Sequence, residues 1–535
     1  MPELSTLRTT EHPQRATVHN PGLKMGKMSA SDIFQEPFMP KLFKPLSQLL
    51  VAVALTGCGS AVINPVSGQA ERSVMSEQAE LVEGASAHKQ VLQEYGVVKD
   101  ARLQGYVNNL GQRLAKLSHR QQLQWHFTLL DSPEINAFAL PGGYVYVTRG
   151  IMAYLQTEAE LAGVIGHEIG HVTARHGAQR ATRQQDAGLG VFAATILGAV
   201  LESQGVSGAG RLASDVSQTA AAGYVASYGR DQELQADGLG AEYLARNAFD
   251  PRNMIKVINA LKAQERFAAD QARAAGRAAP VQNSWLASHP SNDQRLQMIT
   301  QLAAQYQGSY PDDGRARYQQ AIQGMAFGES AEQGLTRGQT FYHPSLGIAI
   351  TAPTGWRIQN EPEKLALVNA AGDAALMVQV APAKAGATHD EVIRNLLKPS
   401  QGRTEKLNIN GLPATRFVGA RAAQGQQAQQ SIDATLVTGP NATVYVFTPA
   451  AKNANALQQA RPALAQAQGS FHAMTAQDRL EARPWAVKSA PYPTGGFAQL
   501  AKSSPLPNAE AQLRLINGFY GGGEPPVGQP VKVVY

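Results

Sequence analysis

Two histidines and a glutamate between residues 157 and 171 have the types and spacing of half a zinc site. His167, Glu168 and His171 form the pattern H-E-x-x-H. Residues four apart lie on one face of a helix, one turn apart, so both imidazoles can reach a single ion. Glu168 is rotated by about 100° from His167, close enough to hold a water at the metal without binding the metal itself. The pattern predicts metal-assisted hydrolysis with Glu168 as the general base.

The same stretch carries the signals of the helix that it needs. Thr157 and Glu160 form T-x-x-E, which predicts a capping box at the helix start. Leu161, Val164 and Ile165 form an apolar stripe for the buried face. H-E-x-x-H alone remains a weak pattern, because two histidines on a helix are more often ordinary surface or core residues.

A second acidic pair downstream strengthens the prediction of a metal site. Glu233 and Asp237 are also one helical turn apart. They offer one carboxylate that can bind the metal and a second that can orient a metal-binding histidine. Two histidines, one glutamate and a water make a catalytic zinc site, so we expect His167, His171 and Glu233 to bind one Zn²⁺ per chain.

Both motifs together resemble one family, the gluzincin zinc metallopeptidases of the HtpX and CAAX-prenyl-protease type, in particular their periplasmic lipoprotein branch. The resemblance covers roughly residues 76–325, about half of the chain. The matching segments, in order, are Asn136-Ala137-Phe138-Ala139-Leu140-Pro141-Gly142-Gly143, the H-E-x-x-H, Glu233 with Ala236-Asp237, and Ser288-His289-Pro290-Ser291 followed by Arg295.

The resemblance implies roles for residues outside the two motifs. The strand that follows Asn136-Ala137-Phe138 borders the cleft, where an extended polypeptide substrate can add as a further strand, so Asn136, Ala137 and Phe138 are expected to bind substrate. His289 and Arg295 lie near the cleft, and either can stabilise the oxyanion of a tetrahedral intermediate. His289 can instead occupy the open zinc position and silence the enzyme, or simply begin a helix before Pro290. The residues leave these alternatives open.

Several further predictions concern the peptidase region. Residues 76–95 and 99–117 have helical apolar spacing, and 124–130 and 143–147 alternate as strands. His176, five residues after His171, lies off the shared helix face and is expected at the surface. The apolar segment 189–201 is read as a buried helix or as a mobile flap over the zinc, and 266–281 as an exposed loop or frayed helix.

The composition fits several packed domains and argues against nucleic-acid binding. The chain has 535 residues, 43% of them hydrophobic, which is enough for two or three domains. Its net charge of +6 is a mild excess without a long Lys/Arg run. Moderate attraction to anionic envelope surfaces is the most that this charge predicts.

The N-terminal region predicts export and lipid attachment. A short apolar stretch, 46–55, follows two lysines and has the form of a signal sequence rather than a membrane span. The following Leu55-Thr56-Gly57-Cys58 resembles a bacterial lipobox, which implies acylation of Cys58. Cys58 is the only cysteine of the chain, which excludes an intramolecular disulfide and a thiolate metal site.

The chain can be divided on this basis. We read 1–57 as the signal region with an N-terminal extension before a candidate start at Met39. Gly59 resembles the outer-membrane sorting class. The further segments are 58–75 as a lipidated, flexible tether, 76–325 as the zinc metallopeptidase domain, 327–338 as a linker, 336–475 as an α+β accessory domain with a mainly antiparallel sheet, and 484–535 as a LysM-like tail of order strand, helix, helix, strand.

The fold class that we expect is α+β, with a mainly helical zincin-type domain and a small sheet. The function that we expect is a lipid-anchored periplasmic zinc endopeptidase, attached to the outer membrane, that cleaves misfolded or misassembled envelope proteins in protein quality control. The alternative is a chaperone-like or wall-binding scaffold with a latent metal site. Expected partners are unfolded envelope polypeptides, the membrane through the lipid, and peptidoglycan through the tail, with no nucleic acid.

Overall fold

A computed structural model of the chain describes residues 60–185, 228–274, 276, 285, 289, 293–361, 364–422 and 430–535. These residues form helices and several small sheets, so the α+β class is confirmed. The signal sequence, Cys58 and the apolar segment 189–201 lie outside the described residues. Among the helices described, none is long and apolar enough to cross a membrane.

A β-hairpin begins at the first described residue. Strands β1 (Ser60–Ile63) and β2 (Ala70–Ser73) pair antiparallel. The Asn64 side chain closes the turn by accepting hydrogen bonds from the amides of Val66 and Ser67. It also donates a hydrogen bond to the carbonyl of Ala174 at 3.3 Å. The prediction of a flexible tether over this stretch is therefore wrong, because the hairpin is held against the peptidase region.

The peptidase region is built from helices around one three-stranded sheet. Two helices precede the sheet, and the predictions for them are confirmed. The elements are α1 (Glu77–Tyr95), α2 (Ala101–Ala115), β3 (His126–Leu130), β4 (Ala137–Leu140), β5 (Tyr144–Thr148), α3 (Arg149–Tyr154) and α4 (Glu158–Thr173). Strand β5 lies in the middle of the sheet, parallel to β3 and antiparallel to β4.

Helix α4 carries the H-E-x-x-H and is completely buried. The Thr157 hydroxyl accepts a hydrogen bond from the Glu160 amide, so the predicted N-cap is confirmed. The Glu160 carboxylate, however, accepts from the amide of Gln156 at 2.7 Å. The second half of the predicted capping box is therefore shifted by one residue.

Further helices among the described residues of this region are α5 (Arg230–Arg246), α6 (Asn253–Ala274), α7 (Asp293–Gln305) and α8 (Arg315–Ala321). Helix α6 buries Met254, Val257, Ile258 and Leu261 in the core shared with α4. It continues through residue 274, so of the two alternatives for 266–281 the helix is found over 266–274 and the loop is not. The helical apolar spacing before that point extends further than the Ala- and Arg-rich composition indicated.

The prediction of a linker at 327–338 is also wrong, because this stretch is ordered and partly buried. It contains the end of strand β6 (Ala326–Phe327) and strand β7 (Leu335–Arg337). Ser330 is 5% exposed, and its hydroxyl donates to the carboxylate of Asp131 at 2.7 Å. The stretch therefore fastens the C-terminal half to the peptidase region.

The residues that follow form two antiparallel sheets and a second core, as predicted. One sheet has seven strands in the order β10-β11-β12-β16-β15-β14-β13, and the other has four in the order β17-β9-β8-β7. The elements are β8 (Thr340–His343), β9 (Ile348–Thr351), β10 (Arg357–Glu361), β11 (Lys364–Val368), β12 (Ala374–Val380), α9 (His389–Val392) continued by a π-helical turn (Ile393–Leu397), β13 (Gln401–Ile409), β14 (Leu412–Arg421), β15 (Gln430–Thr438), β16 (Val444–Ala451), α10 (Ala454–Gly469), β17 (His472–Ala473) and α11 (Ala476–Glu481).

The tail has the predicted order of strand, helix, helix and strand. Its elements are β18 (Trp485–Pro491), α12 (Gly496–Ala501), α13 (Ala509–Ile516) and β19 (Pro530–Val534), and β18 pairs with both β19 and β6. Phe497, Leu513 and Val534 are buried in the same core as the residues of α4. The division of the chain into separate domains therefore remains a proposal.

One buried lysine of the tail lies beneath the start of the catalytic helix. The Lys532 ammonium donates to the carbonyls of Ala153 and Leu155, each at 2.7 Å, where α3 ends. The residue is 3% exposed. The Asn517 side chain fixes its backbone by bonds to both the amide and the carbonyl of Lys532. The tail thus supports the turn that leads into α4.

This lysine should make stability depend on pH. Burial lowers the pKa of Lys532 to about 7; Arg315 acts in the same direction and Glu160 opposes it. An unfolded lysine titrates at about 10.4. Between these values the unfolded chain binds more protons, so the free energy of unfolding rises with pH.

The measurement is urea denaturation of wild type and Lys532→Met at several pH values. We expect the difference in free energy of unfolding to grow in favour of wild type above about pH 7, by at most about 1.4 kcal/mol per pH unit. Lys502→Met, at an exposed position of the same tail, should show no such trend. A difference that is constant with pH for Lys532→Met would contradict the assignment.

Candidate metal centre

Close contact between helices α4 and α5 brings the two sequence motifs together. A side chain at Gly170 would meet the carbonyl oxygen of Ala236 at 3.1 Å, and one at Gly240 would meet the amide nitrogen of His167 at 3.2 Å. Glycine permits this backbone approach because it has no Cβ. The acidic face of α5, with Glu233, is thereby placed directly against the histidine face of α4.

Four buried side chains from three segments point at one position. Their metal-binding atoms all lie within 4.8 Å of one another. The two Nε2 atoms of His167 and His171 are 3.0 Å apart, and each lies 3.6 Å from an oxygen of Glu233. Nδ1 of His289 lies 3.2 Å from Nε2 of His167 and 3.0 Å from Oε1 of Glu233. The predicted ligands are therefore together, and His289 joins them.

These spacings fit a zinc ion. In a tetrahedral site with Zn–N bonds of about 2.0–2.1 Å, the ligand atoms are about 3.3–3.4 Å apart. The observed separations of 3.0 to 3.6 Å bracket that value. Imidazole and carboxylate ligands are also the set that catalytic zinc sites use. His167, His171, Glu233 and His289 would hold the ion.

Asp237 and Arg295 surround the ligands rather than joining them. Oδ1 of Asp237 lies 3.0 Å from Nδ1 of His167, on the side of the ring that faces away from the ligand cluster. Arg295 donates two hydrogen bonds of 2.8 Å to Asp237 and contacts Glu233 at 2.9 Å. Burial opposes ionisation of both carboxyls, but these cationic and hydrogen-bonding neighbours outweigh it and lower the pKa of Glu233 and of Asp237.

His176 is buried against a ligand, so the prediction of a surface residue is wrong. The chain leaves α4 through Arg175, whose φ of 58° turns His176 back towards the site. Burial lowers the pKa of His176 to about 4, so its ring is neutral. Its Nε2–H donates to Gln235 at 2.8 Å. Its Nδ1 then accepts from Nδ1–H of His171 at 2.8 Å, which leaves Nε2 of His171 free to bind a metal.

Two aromatic residues that sequence reasoning missed complete the walls. The ring of Tyr228 stacks on His171 with a centroid distance of 3.8 Å. The indole N–H of Trp285 donates to Oε1 of Glu168 at 2.9 Å. Neither residue belongs to a spacing pattern, so only its position near a motif could have drawn attention to it.

Comparison with known proteins agrees with this arrangement. Residues 101–303 match the model of peptidase family M48. Residues 101–303, which we call the M48 domain, are thus similar to the zinc metallopeptidases of that family. The predicted resemblance is thus confirmed over the region that contains all four candidate ligands of the metal centre.

Named relatives of the M48 domain come from bacteria and mitochondria. The beta-barrel assembly-enhancing protease of Escherichia coli K12 is 31% identical over 265 residues, which are 48% of this chain and 52% of that protein. The mitochondrial metalloendopeptidase OMA1 of Schizosaccharomyces pombe is 28% identical over 241 residues, 44% of this chain and 64% of that protein. The chain spans about half the length of the bacterial relatives that it matches.

Solved structures give weaker matches. LpqN of Mycobacterium tuberculosis matches 23% of this chain and 82% of its own, with a TM-score of 0.18 and 17% identity. The PsbP protein of Synechocystis matches 25% of this chain and 92% of its own, with a TM-score of 0.20 and 13% identity. We draw no conclusion from scores this low.

The predicted substrate-binding stretch lies at one edge of the sheet of the M48 domain. Strand β4 is the edge strand in the order β3-β5-β4, and it packs beside α4. The ring of Phe138 stacks on Tyr146 at 4.8 Å, on the side covered by α1. Ala137 lies in the core shared with α4. Contacts with a substrate at β4 would therefore come from its backbone, and this role stays a prediction.

A buried ion network fixes α1 to the end of the catalytic helix. The Glu80 carboxylate is 1% exposed and contacts Arg175 at 2.6 Å and Arg120 at 2.9 Å. Arg120 also donates to the carbonyl of Val172 at 3.2 Å. Glu80 thus contacts two buried guanidinium groups next to His171, and Glu77 also contacts Arg120, at 2.8 Å.

Removing this acid should destabilise the M48 domain strongly. We expect Glu80→Ala to lower the free energy of unfolding by about 3–5 kcal/mol, because buried Arg175 loses its carboxylate partner and buried Arg120 is left with the exposed Glu77. Urea denaturation measures the effect. Lys89→Ala, at an exposed position of the same helix, should change the value by less than about 0.5 kcal/mol. Equal effects of the two substitutions would contradict the role of the network.

Proposed function

We propose that this protein is a zinc endopeptidase of the bacterial envelope that cleaves misfolded or misassembled envelope proteins. The observation that carries the proposal is the convergence of His167, His171 and Glu233, with Glu168 beside them. The name of the bacterial relatives, beta-barrel assembly-enhancing protease, supports the choice of substrate class.

The residues of the site divide the work of peptide hydrolysis. His167, His171 and Glu233 would hold a zinc ion, which would supply an activated water and polarise the scissile carbonyl. Glu168 takes the proton of the attacking water and delivers it to the leaving amine. Asp237 and His176 hold the rings of His167 and His171 with their Nε2 atoms towards the cluster. Arg295 holds Glu233 and Asp237 in place.

The location of β4 supports selection of unfolded substrates. An extended polypeptide can pair with an edge strand through its backbone, which a folded protein cannot do without unfolding. The cleft beside β4 and α4 would therefore accept chains with exposed, extended segments. Misassembled outer-membrane proteins expose such segments before their strands pair.

We further propose that His289 occupies the open metal position in the resting protein. Its Nδ1 lies 3.2 Å from Nε2 of His167 and 3.0 Å from Oε1 of Glu233, within the range of 3.0 to 3.6 Å that separates the other three ligands. Displacement of His289 by substrate would then precede cleavage.

The test of the proposed function uses purified, signal-free protein. We expect one zinc per chain and cleavage of casein that stops on addition of a chelator and returns with zinc. Cells that lack the protein should accumulate misassembled outer-membrane proteins, and wild type but not Glu168→Gln should clear them. A purified protein without zinc, or clearance by both forms, would count against the proposal.

We propose that the enzyme is attached to the outer membrane by lipid on Cys58. Only Gly59 separates Cys58 from the hairpin, a chain length of about 7 Å at most. The anchor would therefore hold the hairpin close to the lipid surface. Cys58→Ser should abolish labelling with radioactive palmitate and release the protein from membranes, whereas Gly59→Asp should keep the label and move the protein to the inner membrane. A Cys58→Ser protein that stays lipidated would exclude this anchor.

A second proposal is a chaperone-like or wall-binding scaffold, in which the metal site is latent. The strand-helix-helix-strand order of the tail favours it, because a LysM-like module would bind glycan of the wall. Because the tail shares a core with α4, peptidoglycan binding should be tested with the full chain. Binding of that chain to isolated peptidoglycan, together with normal behaviour of Glu168→Gln cells, would support the scaffold; absence of binding would remove its wall-binding form.

A further inference from the structure

The two oxygens of the Glu168 carboxylate have different surroundings. Oε1 accepts the indole N–H of Trp285 at 2.9 Å and lies 3.5 Å from Nε2 of His289. Oε2 is buried and has no hydrogen-bond partner among the residues that the structure describes. One oxygen is thus held by the protein, and the other is available to a water or a substrate.

Trp285 is itself held firmly. Its side chain is completely buried, and its backbone N–H donates to the carbonyl of Ile135 at 2.7 Å, just before β4. Its carbonyl accepts from the amide of His289 at 2.8 Å. The indole ring lies edge-on to His167 with a centroid distance of 5.0 Å. The indole N–H therefore has a fixed position relative to the metal ligands.

We propose that Trp285 is a positioning residue for hydrolysis, which fixes Oε1 of Glu168 so that Oε2 is the oxygen that receives the proton. This inference rests on the proposed peptidase function and adds a residue to it. A terminal carboxylate rotates about a broad, roughly two-fold torsion, so one fixed hydrogen bond selects one orientation. The indole can only donate, so it does not compete with Glu168 for the proton that is transferred.

Loss of this hydrogen bond should affect turnover rather than substrate binding. Removal of a hydrogen bond to a buried charged group should lower kcat by roughly 10- to 100-fold. Substrate contacts at β4 are unchanged, so KM should stay within about two-fold. Zinc content should also be unchanged, because Trp285 is not among the ligands.

The experiment compares Trp285→Phe with Trp125→Phe in the full-length protein. Phenylalanine keeps an aromatic ring at each position and removes only the N–H and part of the ring. Trp125 is a matched control, because it is buried in the same core and its indole N–H donates to a backbone carbonyl, that of Arg120, at 3.1 Å. We expect the kcat loss for Trp285→Phe alone, with one zinc retained in both variants.

A second readout does not depend on activity. The chain has four tryptophans, and the difference between the emission spectra of wild type and Trp285→Phe isolates the emission of Trp285. Glu168→Gln should alter this emission of Trp285, because the substitution removes the charge that the indole contacts. If Trp285→Phe matches Trp125→Phe in kcat, or if Glu168→Gln leaves the Trp285 emission unchanged, the proposal is overturned. If wild type cleaves no peptide, the peptidase function fails, while the emission still tests the contact.

Discussion

Glu168→Gln should lower kcat for casein cleavage by about 10²- to 10⁴-fold, because the amide cannot accept the proton of the attacking water. The substitution changes size very little and leaves an oxygen that can accept from Trp285. Folding and zinc content should therefore match wild type. A discontinuous casein assay with metal analysis of the same sample measures both quantities.

The control for this prediction is Asp231→Asn. Asp231 is exposed in the first turn of α5, two residues before Glu233. The substitution removes a carboxylate that is close to the site in sequence and does not touch the catalytic residues. The kcat of Asp231→Asn should therefore equal that of wild type. If Glu168→Gln retained wild-type turnover, Glu168 would not be the base and the mechanism would be wrong.

His289→Ala should raise the rate of casein cleavage by about 10- to 100-fold, as expected if a competent form populated at only 1–10% becomes the main form. The substitution opens the metal position that His289 fills. The opposite assignment, in which His289 stabilises an oxyanion, predicts a loss of about 10²- to 10³-fold. The sign of the change therefore decides between the two alternatives that the sequence left open.

The double variant His289→Ala with Glu168→Gln is the control for that gain. A gain that arises at the zinc site must disappear when the base is removed. Activity that persisted in the double variant would come from another site or from a contaminating protease. A loss of activity in the single variant would contradict the resting-state role of His289.

The sequence predicted best what depends on local periodicity. The four-residue spacing of His167 and His171 and the apolar stripe of α4 are properties of one helix, and each is found where the sequence placed it. Glu233 required more, because its approach to the histidines depends on two helices that meet at Gly170 and Gly240. The resemblance to a family supplied that information, which no spacing within α5 contains.

The errors arose where the chain departs from regular structure or gains order from distant partners. His176 was misplaced because helical geometry was extended past Arg175, where a positive φ reverses the chain. The stretch 60–72 was read as a flexible tether from its Ser, Asn, Pro and Gly content, and 327–338 was read as a linker from its Gly, Ser, Glu and Gln content. Asn64 and Ser330 show why they are ordered, since each is bonded to a residue more than 100 positions away.

Nothing local to Trp285 indicated its contact with Glu168. The two residues are 117 positions apart, and a lone tryptophan in a sequence is most often part of a core. Lys532 is a similar case, because a lysine in a short terminal strand is normally exposed. Its burial depends on the carbonyls at the end of α3, which only the folded chain presents.

The most direct test of the central claim is the zinc content of wild type and Glu233→Ala, measured on extensively dialysed protein. The account predicts one zinc per chain in wild type and a value close to zero for Glu233→Ala, with the exposed Asp231→Asn equal to wild type. A Glu233→Ala protein that kept one tightly bound zinc would contradict the convergence of His167, His171 and Glu233 on a single ion.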